Sequence, residues 1–393
     1  MLFMGTVMAL VLSSCNFAGK VMPKKEKPAV LEVEAEHTSN QLEYVPVRSA
    51  DDSLEWGLMD LEGTLLPDVA LKAEPSNVVG GIFTMSDGHG HLCYYTAEAE
   101  PQQIGGEYTK AGLFYEDVAP CIESGKNYIQ FIRKDGTVVF ELKEVDGKPV
   151  EWVGRFHDGL APFKAGEYIG FVNTEGSIII APQFLQAGRF SDGYALVVDT
   201  VDGNGKKYRD KENYRINIID IEGNTLEHSF LATDSIGDRV SEGLITCSHD
   251  YEPEDTLPRI YKFVDPMGRT IIAEHTDYRQ LTNMRGTHFA FYSGRGWGIA
   301  DNQATVILSP RYDEVVWLGE QSAVVCLYGK YKFLDYGGDQ LSKSFDEVIS
   351  LDDDVHFIGR IGSKWYMLDE LGTIWGEGQY IIKHNPGDDV IKR

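Results

Sequence analysis

The chain is built from short apolar runs that end at glycine, proline, asparagine or aspartate. One run, Ile169–Asn173, stops at a glycine-containing turn, and the apolar run Ile178–Ala181 follows it. Short runs rich in β-branched and aromatic residues, bounded by such turns, are typical of strands joined in hairpins. The 20 Tyr, 18 Phe and 41 Gly residues agree with this interpretation. We therefore predict an all-β fold of many short strands.

One group of strands recurs along the chain. Its most complete copy runs from Arg155 to Phe184, and the pattern opens again at Arg189. Eight copies are clear, and a degenerate ninth is expected at Leu92. The aromatic-glycine segment of the copies begins at Trp56, Leu92, Ile129, Ile169, Ile216, Tyr261, Trp297, Tyr331 and Trp365. Self-similarity at a spacing of this size indicates a repeat architecture.

Each copy can be assigned four short antiparallel strands. The aromatic-glycine segment is one strand, and a Thr/Ser-Val/Ile run such as Thr305–Ile307 is its returning partner. A third short strand follows, and a Phe-x-Asp/Glu-Gly turn leads into a fourth, such as Gly193–Val197. The glycines predicted to adopt positive φ between the first two strands are Gly63, Gly136, Gly176, Gly223, Gly268 and Gly372.

This pattern resembles the WG-repeat family of bacterial proteins over roughly residues 41–383. The match is best at Trp56-Gly57, at Trp297-Gly298 and through residues 155–194, and the pattern departs at Trp365-Tyr366. The family is defined by its repeat and has no shared catalytic motif. The resemblance therefore implies a fold more than a function.

The two ends of the array predict how it closes. The last copy has a third strand at Tyr380–Ile382 but no fourth, while Tyr44–Val47 is an isolated fourth-type strand. Pairing them would close a propeller-like ring and remove both exposed edges. Propellers typically have about four to eight blades, and an open superhelical array accommodates nine units easily. We favour the ring.

The N-terminus predicts a lipoprotein. Leu2–Leu12 is an apolar run of signal-peptide size, and the small residues before Cys15 resemble a bacterial lipobox. We predict a signal peptide at 1–14, lipidation of Cys15 with a flexible tether at 15–40, the repeat domain at 41–383 and a tail at 384–393. Asn16 favours the outer membrane, so the expected location is the periplasm or cell surface, with a lipid anchor as the membrane contact.

Charge and motifs narrow the function. A net charge of −25 excludes a basic surface for nucleic acid. The chain has no Gly-x-Ser-x-Gly, His-Glu-x-x-His or phosphate-binding glycine loop. We therefore predict no enzyme activity, no catalytic residue and no cofactor, and a binding or scaffold role toward a protein or glycan. The alternative is a hydrolase, for example glycan-active, with a carboxylate or histidine site on a loop face or in a central channel.

Two insertions mark candidate binding loops. They cover residues 199–215 and 248–260, and they occupy the same loop of adjacent repeats. Equivalent loops of a repeat array emerge on one face, where insertions often serve binding. Tolerated surface variation is the other interpretation. The candidate contact residues in these loops are Tyr208, Tyr214, Tyr251, Asp202 and Asp250.

Two further groups of residues have ordinary explanations. Cys121, Cys247 and Cys326 align with Phe163, which indicates buried core positions, and Cys93 is also expected to stay unpaired. The segment Asp87–His91 holds two histidines and an acid, as some metal sites do. Its glycines are typical of a plain turn, and no third ligand group is evident from the sequence. We predict no metal site.

Overall fold

In the computed structural model, the described residues are 42–49, 55–199, 214–231, 235–248, 261–273, 275, 277–388 and 390–393. They form strands and turns, and this part of the chain contains no helix, which confirms the all-β prediction. Accordingly, none of these residues belongs to a helix of the length and apolar character needed to cross a bilayer. Cys15, the signal peptide and most of the tether lie outside the described residues.

The strands of the first half are β1 (Leu42–Ser49), β2 (Trp56–Asp60), β3 (Val78–Val79), β4 (Ile82–Ser86), β5 (Leu92–Thr96), β6 (Gln103–Ala111), β7 (Ala119–Glu123), β8 (Ile129–Ile132), β9 (Val138–Leu142), β10 (Glu144–Val145), β11 (Lys148–Val153), β12 (Leu160–Ala165), β13 (Tyr168–Asn173) and β14 (Ile178–Phe184).

The strands of the second half are β15 (Gln186–Ala187), β16 (Tyr194–Asp199), β17 (Arg215–Asp220), β18 (Thr225–Leu231), β19 (Ser235–Ile236), β20 (Ile245–Ser248), β21 (Tyr261–Val264), β22 (Thr270–Ile272), β23 (Gln280–Leu281), β24 (His288–Tyr292), β25 (Trp297–Asp301), β26 (Val306–Tyr312), β27 (Glu314–Leu318), β28 (Ser322–Leu327), β29 (Lys330–Asp335), β30 (Glu347–Ser350), β31 (Phe357–Ile361), β32 (Lys364–Leu368), β33 (Ile374–Trp375), β34 (Tyr380–Ile382) and β35 (Ile391–Lys392).

These strands make nine antiparallel units in the described chain. Units 5, 6, 7 and 9 are the four-stranded sheets β15–β18, β19–β22, β23–β26 and β30–β33. Unit 4 is the sheet β10–β14, and unit 8 is the three-stranded sheet β27–β29. Unit 1 holds β34, β1 and β2, unit 2 holds β3–β6, and unit 3 holds β7–β9 with the end of β6. Their sheets are joined, because β1 pairs with β3 and the long strand β6 pairs with both β5 and β7. The third strands of the units begin at or beside the nine predicted starts, and β5 begins at Leu92. The expected ninth repeat is therefore confirmed.

The sheets are out of phase with the repeat as it is written in the sequence. The aromatic-glycine strand β13 pairs with β12, which precedes it, through a tight hairpin that aligns Ala165 with Tyr168. The predicted fourth strand of the same sequence repeat, β16, pairs instead with β17, which is the aromatic-glycine strand of the following repeat. The predicted four-strand grouping is therefore wrong by two strands. A short hairpin joins neighbouring strands more readily than a longer connection does.

The array closes as predicted. β1 pairs antiparallel with β2 on one side and with β34 on the other, and Val47 lies opposite Ile382. Both side chains are buried in one core cluster with Met59 and Met367. The first unit is thus assembled from the two ends of the array, which makes the fold a propeller-like ring of nine units.

Aromatic side chains at one repeat position pack between successive units. Phe171 of unit 4 meets Phe190, which precedes β16 of unit 5, edge to face at 4.9 Å. Phe131 of unit 3 and Phe156, which precedes β12 of unit 4, repeat this contact at 5.6 Å. The geometry is a favourable one for aromatic pairs. The Phe of the predicted Phe-x-Asp/Glu-Gly turn is therefore a contact between units.

The cysteines behave largely as predicted. All four described thiols are buried and none forms a disulfide. Cys121 and Cys247 occupy the Phe163 position, opposite the second residue of their aromatic-glycine segments. The alignment of Cys326 is wrong by one residue, because Val325 takes that position and Cys326 lies opposite Tyr331. Burial raises the pKa of the Cys121 thiol to about 12.

Candidate binding cleft

The loops between the strands of a unit emerge at two ends of the sheet. We call the loop between the first and second strands the first turn, and those that follow the second and third turns. In an antiparallel sheet the first and third turns share one end, and the second turns lie at the other. The six glycines predicted to have positive φ do so, and they lie in third turns.

The predicted binding loops are second turns. The insertions at 199–215 and 248–260 join β16 to β17 and β20 to β21, so they occupy the same turn of units 5 and 6, as predicted. Tyr214 lies half-buried immediately before β17. The other four candidate residues, Tyr208, Tyr251, Asp202 and Asp250, lie outside the described residues.

The first turns of units 3–7 are linked by carboxylates. In unit 4, Asp158 and Gly159 both have positive φ, at 51° and 79°. This conformation lets a turn carboxylate accept a hydrogen bond from a backbone amide of the next unit's turn. The pairs are Glu116 Oε1 with Gly159 N at 3.1 Å, Asp158 Oδ2 with Gly193 N at 2.9 Å, Asp192 Oδ2 with Gly243 N at 2.9 Å, and Glu242 Oε1 with Gly286 N at 3.0 Å.

This linkage explains the acid of the Phe-x-Asp/Glu-Gly motif. The sequence predicts the turn. The backbone amide that donates to its carboxylate is about 35 to 50 residues away in the chain, and the two groups meet only because consecutive units pack together. The four bonds hold five consecutive first turns in a fixed arrangement. Side chains beside these turns are therefore presented from a rigid frame.

Arginines of three consecutive units converge beside these turns. Arg155, Arg189 and Arg239 lie in the first turns of units 4, 5 and 6. Arg189 Nη1 is 3.4 Å from His157 Nε2. Burial, followed by the charges of Arg189, Arg155 and Arg239, lowers the pKa of His157 to about 4. His157 is consequently neutral near pH 7, and the positive charge here belongs to the arginines.

The charged groups near Arg189 include one from a non-adjacent unit. Burial and the charge of Arg239 lower the pKa of Arg189, while Asp238 and Asp354 oppose this shift. Asp354 belongs to the first turn of unit 9, four units from Arg189. The ion pair of Arg285 in unit 7 with Asp354 in unit 9 likewise brings together first turns of non-adjacent units.

An open cleft of about 440 Å³ lies among the first turns of units 6–9. Arg285 of unit 7 bonds to Asp354 with Nη2 3.1 Å from Oδ2, and its guanidinium carbon lies 5.6 Å from the Trp317 ring centroid. Trp317 Nε1 donates to the Asp354 carbonyl at 2.9 Å. The cleft is lined by Arg239, Ser241, Glu242, Thr282, Asn283, Met284, Arg285, Val315, Val316, Trp317, Leu318, Ser350 and Asp354.

The described residues of the C-terminal tail, 384–388 and 390–393, cover the corresponding side of units 2–4. Asn77 N of unit 2 donates a hydrogen bond to the Asn385 carbonyl, and Asn385 N donates one to Asn77 Oδ1. Arg155 Nη2 of unit 4 donates to the Pro386 carbonyl at 3.0 Å. Ile391 then pairs with Val153 in β11 and is buried. The tail is thus an integral part of the packing, and the cleft lies among units that it does not cover.

The cleft offers hydrogen-bond donors and apolar surface. Its guanidinium groups donate hydrogen bonds to polar or anionic groups. Glu242 already accepts a backbone amide, and Asp354 is held by Arg285. With Trp317, Val315 and Leu318 beside these groups, the arrangement suits recognition of a partner surface.

Comparison with known proteins agrees with the repeat and the fold. The family model described as WG containing repeat matches residues 169–199 and 297–331, which confirms the resemblance at those two places. No curated protein matches the chain in sequence.

Solved structures resemble the chain at low identity. The crystal structure of the eukaryotic initiation factor is similar with a TM-score of 0.55 and 11% identity, and the match covers 90% of this chain and 98% of that one. This likeness concerns the fold alone. The C-terminal WD40 domain of Sif2 matches with a TM-score of 0.36 and 12% identity over 73% of this chain and 82% of its own. Citrobacter koseri AztD matches with a TM-score of 0.38 and 14% identity, over 89% of this chain and 97% of its own.

Proposed function

We propose that this WG-repeat ring is a non-catalytic binding module of the cell envelope, which holds a partner in the cleft of units 6–9. The observation that carries the proposal is the convergence of Arg239, Arg285 and Trp317 from three consecutive units. Arginine and tryptophan are the residue types that most often dominate binding energy at interfaces. They meet here in a chain with a net charge of −25.

The cleft favours a protein segment that carries carboxylates. Trp317 is only 6% exposed, so it forms a wall of the cleft rather than an open platform on which a sugar ring would stack. Arginine guanidinium groups recognise carboxylates by paired hydrogen bonds. An acidic side chain of a partner would compete with Asp354 for Arg285. A glycan is the other partner class, and the second turns of units 5 and 6 are the other candidate surface.

The anchoring part of the proposal is supported by the sequence alone. Lipidated Cys15 would attach the chain to the periplasmic or outer face of a membrane, with the outer membrane favoured by Asn16. Residues 15–40 would act as a tether of polar composition. Such an anchor leaves the ring free to meet partners in the envelope.

Selective loss of binding tests the proposal. The full-length protein is cross-linked in envelope preparations and its partners are quantified for the native chain and for Arg239→Ala/Arg285→Ala. We expect a partner that the double variant loses and that Arg295→Ala retains, because Arg295 is an exposed arginine in the second turn of unit 7. A third variant deletes residues 201–213 and 250–259. If only this deletion removes partners, the cleft is not the binding site.

A further inference from the structure

The second turn of unit 2 is organised around one carboxylate. It joins β4 to β5 through Asp87-Gly88-His89-Gly90-His91, and both glycines have positive φ. Asp87 Oδ1 accepts the backbone N–H groups of His89 at 2.7 Å and of His91 at 3.0 Å. These bonds fold the turn back on itself and place the His91 ring beside the Asp87 carboxylate. The turn therefore positions two potential ligands before any ion binds.

A third group reaches this turn from β6. Leu92 lies opposite Tyr108 across the antiparallel β5–β6 ladder, so Glu107 projects from the same face as His91 and is its diagonal neighbour. His91 Nδ1 is 3.1 Å from Asp87 Oδ2 and 3.5 Å from Glu107 Oε2. The three ligand atoms all lie within 4.8 Å of one another. No third ligand group is evident at this turn from the sequence, and strand register brings Glu107 to it.

We propose that Asp87, His91 and Glu107 form a binding site for a divalent transition metal ion, and that Zn²⁺ is the ion it suits best. One imidazole nitrogen and two carboxylate oxygens are a donor set that Zn²⁺ accepts. Ligand atoms around a tetrahedral Zn²⁺ stand about 3.3 Å apart, given metal–ligand distances near 2.0–2.2 Å. The two measured separations bracket this value. Ca²⁺ and Mg²⁺ prefer sets of oxygen ligands alone.

The donor set of the site fits a cation. Asp87 and Glu107 each supply a carboxylate oxygen and His91 supplies an imidazole nitrogen, and two backbone N–H groups hold the Asp87 carboxylate in place. The Asp87 side chain is 15% exposed and that of Glu107 56%, so an ion can enter from solvent beside Glu107. Water would complete the coordination.

Cys93 lies close to the site but is not one of its ligands. Burial raises the pKa of the Cys93 thiol, and the charges of Asp87 and Glu107 add to this effect. The thiol is 2% exposed within the sheet. It is therefore protonated near pH 7 and packed as an apolar group.

Isothermal titration of the purified full-length chain with ZnCl₂ tests the proposal, using a preparation without a histidine tag. We expect one site with a dissociation constant on the order of 1–10 μM. His91→Ala should weaken binding at least about 30-fold and Glu107→Gln about tenfold. His89→Ala is the matched control, because this exposed histidine shares the turn but not the cluster, and it should retain binding within about threefold.

A second readout separates site binding from adventitious binding. Excess Zn²⁺ should raise the melting temperature of the native chain and of His89→Ala, because an ion that binds only the folded state stabilises it. The melting temperature of His91→Ala should not respond. The proposal is overturned if Zn²⁺ binds His91→Ala and the native chain equally, or if the native chain shows no saturable binding below about 100 μM. Loss of binding in His89→Ala but not in His91→Ala would also overturn it.

Discussion

The inner side of the ring differs between units 2–4 and units 6–9, although the repeat is the same. In units 2–4 the tail lies across the first turns, and Asn385, Pro386 and Ile391 each contact one of these units. In units 6–9 the equivalent positions line the cleft. We call these the covered half and the open half. The contrast shows that a repeat position does not define a site, because the residues placed against it decide whether it is accessible.

The two halves also treat their histidines differently. In the covered half, burial lowers the pKa values of His157 and His384. In the open half, the hydrogen bond to Asp353 raises the pKa of His356, and burial opposes this shift. Burial and the nearby arginines disfavour protonated histidines in the covered half, whereas the Asp353 carboxylate favours a protonated His356 in unit 9.

The largest effect is expected from uncovering units 2–4. Ile391→Ala removes a side chain that is 1% exposed and packs with Val153 and Phe156. Truncation of a buried isoleucine costs about 2–5 kcal/mol, and we expect the free energy of unfolding to fall by that amount in denaturant titration. Val390→Ala is the control, because Val390 is 37% exposed, and its effect should stay below about 0.5 kcal/mol. Equal effects would mean that the tail is not docked.

Acid should weaken the covered half through His157. Its pKa is about 4 in the fold and about 6.5 in the unfolded chain. The neutral ring is therefore favoured by folding, and stability that is present above pH 6.5 is lost as the pH falls toward 4. We expect His157→Gln to reduce this loss by on the order of 1–2 kcal/mol, after allowance for solvent screening. Unfolding at pH 7.5 and pH 4.5 measures it, with exposed His275→Gln as the control, which should leave the loss unchanged.

The open half should show the opposite sign. Because the pKa of His356 is raised by Asp353, its stabilisation is complete below pH 6.5 and is lost as the pH rises through the folded pKa. His356→Gln should therefore destabilise the protein more at pH 5.5 than at pH 8.5. The same denaturant titrations at the two pH values detect this difference. A larger effect at pH 8.5 would contradict the proposed pairing of His356 with Asp353.

The wall of the cleft should depend on one hydrogen bond. Trp317→Phe removes the Nε1 donor to the Asp354 carbonyl while keeping an aromatic ring near Phe357. We expect a loss of about 1–2 kcal/mol from the bond and the smaller ring. Trp375→Phe is the matched control, because Trp375 is 38% exposed. Thermal unfolding should separate the two variants, and indistinguishable melting temperatures would argue against this wall.

The smallest effect concerns the linkage between units. Asp192→Ala removes the acceptor for Gly243 N and leaves alanine at a φ of 54°. We expect a loss of about 1 kcal/mol, because alanine is strained in that conformation. Asp192→Asn keeps both an acceptor and tolerance of positive φ, so it should lose less than half as much. If asparagine is as harmful as alanine in denaturant titration, the hydrogen bond is not what the acid contributes.

The sequence predicts the local structure well and the assembled features poorly. Patterns of strand length predict the nine repeat starts and the turn glycines. The pairing of β1 with β34 follows from the strand left without a partner at each end of the array. The phase of the sheets, the carboxylate partners and Glu107 beside His91 depend on which strands become neighbours, a property that local pattern does not encode. The docking of Ile391 in unit 4 is equally non-local. The cleft emerges only where such contacts leave part of the ring open.

Site-specific photo-crosslinking tests the central claim most directly. A photoreactive phenylalanine analogue replaces Val316, which lines the cleft beside the binding arginines, or, in a second protein, Tyr328, which is 88% exposed in the second turn of unit 8. We predict that irradiation of intact cells gives a discrete adduct from position 316 and none from position 328. An adduct from position 328 alone would contradict it, because the partner would then contact the opposite end of the units.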